Sequence, residues 1–195
     1  MPDTKLVGAA GEHWVCSVLA GLGWSPSLTR DGVARTDVLA ENPQTGDTIT
    51  IQVKTCSHGG RNWPLNKSAR ELARSPREWF VFVRLDQTAW DSPTGYVVPR
   101  NHVVGGAYLN WRDYRSDPEL EKLGRRSGST WETPRLPSNV VEGYRDKWDL
   151  LNHSSNGALV LLPQRFKGLL DEYRSDLPEH HPWKVKLPRW GSTAD

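Results

Sequence analysis

Five consecutive apolar residues, Trp79-Phe80-Val81-Phe82-Val83, make the strongest demand in this chain. Side chains of an extended segment alternate between faces. A run apolar on both faces therefore belongs at the centre of a sheet that is covered above and below. Residues 24–29, 33–40 and 48–55 read as three further strands, and 95–99 as another short one. A turn is expected at Asp31-Gly32, and Asn42-Pro43-Gln44-Thr45-Gly46-Asp47 is a connection rich in turn formers, which predicts an antiparallel meander. Upstream, Val7, Ala10, Trp14, Val15, Val18, Leu19 and Leu22 recur at spacings of three and four. That is an amphipathic helix, stopped near Gly21 and Gly23. Residues 66–75 read as a second helix, with Ala69, Leu72 and Ala73 inward and Lys67, Arg70 and Arg74 on another face.

Alternation along 48–55 sends Ile49, Ile51 and Val53 to one side and Thr50, Gln52 and Lys54 to the other. The first set fits a core; the second puts an amide oxygen and an ammonium on one polar wall. Asp37 lies on the preceding strand and Glu12 on the first helix, at the margin of its apolar stripe. A carboxylate, an oxygen donor and a lysine brought together suit metal-assisted cleavage of a phosphodiester. Taken one at a time, these residues are ordinary: a strand-end acid, a surface amide, a cross-strand lysine. Their joint placement carries the reading. From Lys54 to Arg77 there are six basic residues (Lys54, Arg61, Lys67, Arg70, Arg74, Arg77) against the single acid Glu71, a local patch suited to a phosphate backbone.

Composition sets limits. The 195 residues, 36% hydrophobic and 25% charged, are globular in character, and a net charge of +2 names no partner by itself. Cys16 and Cys56 are too few for a disulfide scaffold or a cysteine zinc site. No long apolar run and no signal-like N-terminus occurs, so a cytoplasmic protein without membrane contact is expected. The second half is rich in tryptophan: Trp111, Trp131, Trp148, Trp183 and Trp190. Helices are expected at Val141, Tyr144, Trp148 and Leu151, after Ser138 as N-cap, and at Phe166, Leu169, Leu170 and Tyr173. An exposed loop is expected around Arg125-Arg126-Ser127-Gly128-Ser129, and an irregular polar tail around His180-His181-Pro182-Trp183.

The order helix, three strands, helix, strand, with Glu12, then Asp37, then Gln52-Val53-Lys54, resembles the PD-(D/E)XK nuclease superfamily. The glutamine variant is most similar to the catalytic domains of Mrr-type restriction endonucleases and Holliday-junction-resolvase-like proteins. The resemblance covers roughly residues 6–100. It departs at Gln52, where the usual motif has an acid, and at Thr36, where a proline is usual. It implies an α/β fold with a restriction-endonuclease-like core, α-β-β-β-α-β, whose central mixed sheet is flanked by helices. A core at 1–100 and a tryptophan-rich, mainly helical extension at 101–195 packed upon it are then expected.

The resemblance further implies a Mg²⁺-dependent nuclease acting on DNA, with Mn²⁺ as a substitute ion, in restriction, repair or defence against foreign DNA. Asp37 is the expected anchoring ligand, joined by the Gln52 side-chain oxygen and the Val53 backbone carbonyl. Glu12 would act through water or a second ion. Lys54 would position the attacking water and stabilise developing charge. Arg61, Lys67, Arg70, Arg74 and Arg77 are the expected phosphate contacts. The alternative is a catalytically silent nucleic-acid-binding or protein-interaction subunit on the same fold. A homodimer, or a place in a larger complex, is compatible with either.

Overall fold

The computed structural model of the chain describes residues 3–30, 35–57, 60–85, 92–116, 119, 131 and 134–192. The expected turn at Asp31-Gly32, His58 and the loop at 125–129 lie outside them. Helix α1 (Thr4–Gly21) is followed by β1 (Ser25–Leu28), β2 (Val38–Glu41), β3 (Thr48–Cys56), β4 (Asn62–Pro64), β5 (Glu78–Arg84) and β6 (Thr94–Pro99). Then come α2 (Arg100–Ser116), β7 (Arg135–Pro137), α3 (Ser138–Val141), α4 (Arg165–Tyr173) and α5 (Pro182–Val185), with short 3₁₀ turns between. The architecture is mixed α/β. A five-stranded sheet, ordered β1-β2-β3-β5-β6, is flanked by helices, and β4 and β7 form a separate pair. No helix among the described residues is long and apolar enough to cross a membrane.

The β1-β2-β3 meander is antiparallel, as the turn residues predict, and β5 lies parallel to β3 and antiparallel to β6. β5 lies inside the sheet, between β3 and β6, and both of its faces need cover. Trp79, Val81 and Val83 pack with Ile49, Ile51 and Val53 and with Val15 and Leu19 of α1. Phe80 and Phe82 pack with Tyr96 and Val98, residues of α2, and the C-terminal half. Each such side chain contributes about 2 kcal/mol when fully removed from water. Asp3 caps the start of α1 by accepting from Lys5 N–H, and Gly23 at φ +87° turns the chain out of it. Gly11 brings α1 so close to β3 that a Cβ there would stand 2.0 Å from Thr55 Oγ1.

Three expectations fail. Residues 66–75 hold one 3₁₀ turn, Lys67–Arg70, capped by the Asn66 side chain on Ala69 N–H. The second long helix is instead α2, directly after β6. The helix expected after Ser138 is one α-helical turn followed by 3₁₀ turns, with Ser138 inside α3 rather than capping it. The expected polar tail is partly core: His181 is fully buried and Trp183 nearly so. The helix expected around Phe166 to Tyr173 is present as α4.

His181 accepts the Trp183 N–H at Nδ1, 3.2 Å away, and its Nε2 donates to Asn101 O at 3.0 Å. Leu161 N–H donates to the Tyr144 hydroxyl, which leaves the hydroxyl proton for His102 Nδ1, 2.8 Å away. Both imidazoles are thus held neutral. Burial pushes His102 down to about 3, helped by His181, and pushes His181 down to about 4. An unfolded histidine protonates near pH 6.5. The stability that depends on the neutral pair is therefore complete above that pH and is lost as pH falls toward the folded values. Urea denaturation should show stability falling by about 2–4 kcal/mol between pH 6.5 and 5. A flat profile there would contradict the tautomers assigned above.

Candidate active site

β2 and β3 part company at Asp37. Its backbone leaves the regular ladder while still bonding both neighbours: Asp37 N–H donates to Ile51 O at 2.9 Å, and Asp37 O accepts Thr29 N–H at 2.9 Å. Arg35, at φ +77°, then turns the chain away from β3. The next rung is taken by a side chain, with Val53 N–H donating to Asp37 Oδ2 at 2.7 Å. In a strand the N–H and C=O of one residue project to the same edge, so the Val53 carbonyl faces the same gap. Among the described residues no donor bonds Asp37 Oδ1. Asp37 is half-buried, and its carboxyl sits above the usual range. Burial is the largest cause, opposed by the Val53 hydrogen bond and by the Lys54 and Arg100 charges.

Val38 pairs with Ile51, and continuing that register sets Asp37 opposite Gln52. Gln52 and Lys54 lie on the face away from Ile51 and Val53, beside Phe80 and Phe82 in register. The structure thus brings Asp37, Gln52 and Lys54 together. Glu12 is placed differently. It is half-buried on α1, next to Gly11 and therefore level with Thr55. That is the same end of β3, but α1 covers the opposite face.

Gln52 is 4% exposed, and its Oε1 accepts from Arg100 Nη2 at 2.8 Å. Arg100, 1% exposed, also donates to Arg35 O at 3.1 Å, Ser68 O at 3.1 Å and Glu71 O at 3.3 Å. Its Nε lies 3.1 Å from Glu78 Oε2, and its guanidinium covers the Phe80 ring at 4.5 Å. Arg35 pairs with Glu71 and Glu78 and donates to Leu72 O. Burial, with Arg35 adding to it, pushes Arg100 down to about 10. Sequence reading missed Arg100. The available signal was a lone cation between Val97-Val98-Pro99 and Val103-Val104, where an arginine cannot avoid burial.

By register the oxygens at this gap are Asp37 Oδ1, the Val53 carbonyl and Gln52 Oε1, the last turned to Arg100 with a second lone pair left over. An all-oxygen set fits a hard cation such as Mg²⁺. Among the described residues no three His, Cys, Asp or Glu side chains gather closely enough to hold an ion. One carboxylate with neutral oxygens makes a weak site unless a substrate phosphate completes it.

The basic residues do not form one helical face. Arg61, Lys67 and Arg74 are exposed, while Arg70 is half-buried over Trp131, 5.8 Å from its ring. Arg74 lies 3.7 Å from Glu71. Arg77 bonds Asp47 at 2.8 Å, and its carbonyl accepts Thr50 N–H. That sets it about 13 Å along β3 from Lys54.

No protein-family model matches the chain, and no curated protein matches it. Among solved structures it is similar to a bacterial homing endonuclease, I-Ssp6803I. The two are 16% identical with a TM-score of 0.44, over 80% of this chain and 96% of that chain. At that TM-score the likeness carries no argument about activity.

Gln52→Glu would give Arg100 a carboxylate partner and add charge at the gap. Calorimetric titration should show tighter Mn²⁺ binding than wild type with the fold retained; complete loss of binding would count against this donor set.

Proposed function

We propose that the chain is a metal-dependent nuclease that hydrolyses phosphodiester bonds of DNA, using Mg²⁺ with Mn²⁺ able to substitute. The observation that supports this best is the Asp37 carboxylate docked on Val53 N–H, with Gln52 and Lys54 on the adjoining wall of β3. An acid used only as a structural cap has no need of this company.

In this reading Asp37 is the anchoring ligand through Oδ1, and Val53 O and Gln52 Oε1 complete the protein's share. A bound Mg²⁺ would polarise the scissile phosphate and lower the pKa of the attacking water. Lys54 orients that water and offsets charge developing on the phosphate. Glu12 acts from the far side of the sheet, through water or at a second ion. Arg61, Lys67, Arg70 and Arg74 hold the phosphate backbone. Arg77, bound to Asp47 and distant from Lys54, contributes least.

The decisive experiment incubates plasmid, linear, single-stranded and branched DNA with wild type and Asp37→Ala, under Mg²⁺, Mn²⁺ and chelator. Wild type should cleave with either ion, and the variant and the chelated enzyme should not. Cleavage that survives both would remove the site. Glu12→Gln should cost roughly 10–100-fold in rate, the range for a residue outside the direct ligands, while still binding DNA.

Salt dependence tests the basic patch separately. Lys67→Ala and Arg74→Ala should each lower the slope of log affinity against log salt by about 1. Arg77→Ala should leave the slope unchanged. Wild-type slopes in both Lys67→Ala and Arg74→Ala would show that the backbone runs elsewhere.

A further inference from the structure

We infer that Arg100 is a positioning residue of the candidate site, fixing which end of the Gln52 amide faces the gap between β2 and β3. The inference rests on the nuclease reading and deepens it. An amide has two ends of nearly equal size, one an acceptor and the other a donor, and only its surroundings decide their placement. A guanidinium is purely a donor. Set 2.8 Å from Gln52, it admits the oxygen at that point and excludes the NH₂ group. Arg100 cannot easily turn aside, because Arg35 O, Ser68 O and Glu71 O hold its fork and Phe80 lies under its plane. Gln52 itself is buried, so no solvent is at hand to satisfy an NH₂ group set against Arg100.

Two effects oppose each other at an ion beside Gln52 Oε1. The positive charge of Arg100 repels it, and the orientation that Arg100 imposes provides it with an oxygen. Glu78 stands 3.1 Å from Arg100 Nε, and the Glu71 and Arg35 side chains pair close by. Two acids therefore offset the two buried arginines, the exposed Arg74 beside Glu71 being screened by solvent, and orientation decides. Losing the fork lets the amide turn its donor end toward the gap, where it repels a cation. Lysine at this position keeps the charge but cannot reproduce the planar, multiply bonded geometry.

Mn²⁺ is titrated calorimetrically into wild type, Arg100→Lys, Gln52→Ala and the double variant, each checked for folding by circular dichroism. Arg100→Lys should weaken Mn²⁺ binding about 10–100-fold, with no further loss in the Gln52→Ala background. Wild-type affinity in Arg100→Lys, or an undiminished loss in the Gln52→Ala background, would overturn the inference. If wild type binds no Mn²⁺ with or without DNA, the nuclease reading falls. The hold on the amide is then read in the metal-free protein from the Gln52 side-chain ¹H–¹⁵N pair. That pair should shift in Arg100→Lys, and an unmoved pair overturns the inference.

Discussion

A buried guanidinium must have nearly all its donors satisfied, and Arg100 meets that requirement by gathering distant parts of the chain. Its partners come from the segment before β2, from the middle of β3, from the 3₁₀ turn and from the start of β5, while it opens α2 itself. Removing its charged partner Glu78 would leave the buried guanidinium short of a counter-charge, at a cost of about 3–5 kcal/mol. The place where β2 departs from β3 is therefore set by charge satisfaction as well as by apolar packing. Arg35 takes a left-handed conformation there and still finds Glu71, Glu78 and Leu72 O. That turn leaves Val53 N–H without a backbone partner and gives the Asp37 carboxylate its seat.

The two sheet faces are built on different principles. On the α1 side, branched side chains with Trp24 and Trp79 pack against α1, which Gly11 allows to come close, and against Leu151. On the other side, α2 brings Gly105 and Gly106 against Trp183 and Leu162, where a Cβ would stand 2.3 Å and 3.0 Å from those side chains. The candidate site opens on this second side, next to the Arg100 cluster. Its wall is thus charged and hydrogen-bonded, and the α1 wall is apolar. Glu12 lies on the α1 side, across that divide from Asp37, Gln52 and Lys54.

Much of the sheet was legible because strand signals are local. Alternation in β3, apolarity on both faces of β5 and the turn residues after β2 each follow from a few neighbouring residues. The failures all lie where distant contacts override local preference. Residues 66–75 carry helix-like spacing, yet Ser68 O and Glu71 O bond Arg100 and Leu72 O bonds Arg35. Those carbonyls are the ones a helix would have used internally. Gly105-Gly106 argues against α2 by propensity, but these glycines serve packing against the C-terminal half. His181 reads as polar because its tautomer and its partners, Asn101 O and Trp183 N–H, are invisible in sequence. The triad of Asp37, Gln52 and Lys54 was legible for the opposite reason: strand alternation and one hairpin register determine it.

Glutamine at position 52 follows from the same bookkeeping of charge. Arg35 and Arg100 already face Glu71 and Glu78, and Asp37 feels Lys54 and Arg100 together. A glutamate at 52 would be a third acid beside two buried arginines and would spend part of its charge on Arg100. A neutral oxygen satisfies Arg100 without upsetting that balance and keeps one lone pair for the gap. In the proposed nuclease reading, the consequence is a site whose affinity for a cation would be incomplete within the protein. An anionic substrate would then supply the missing ligand, and binding of ion and phosphate would reinforce one another. Under that reading such a site would discriminate by waiting for its substrate, because neither partner would be held firmly until the other arrived.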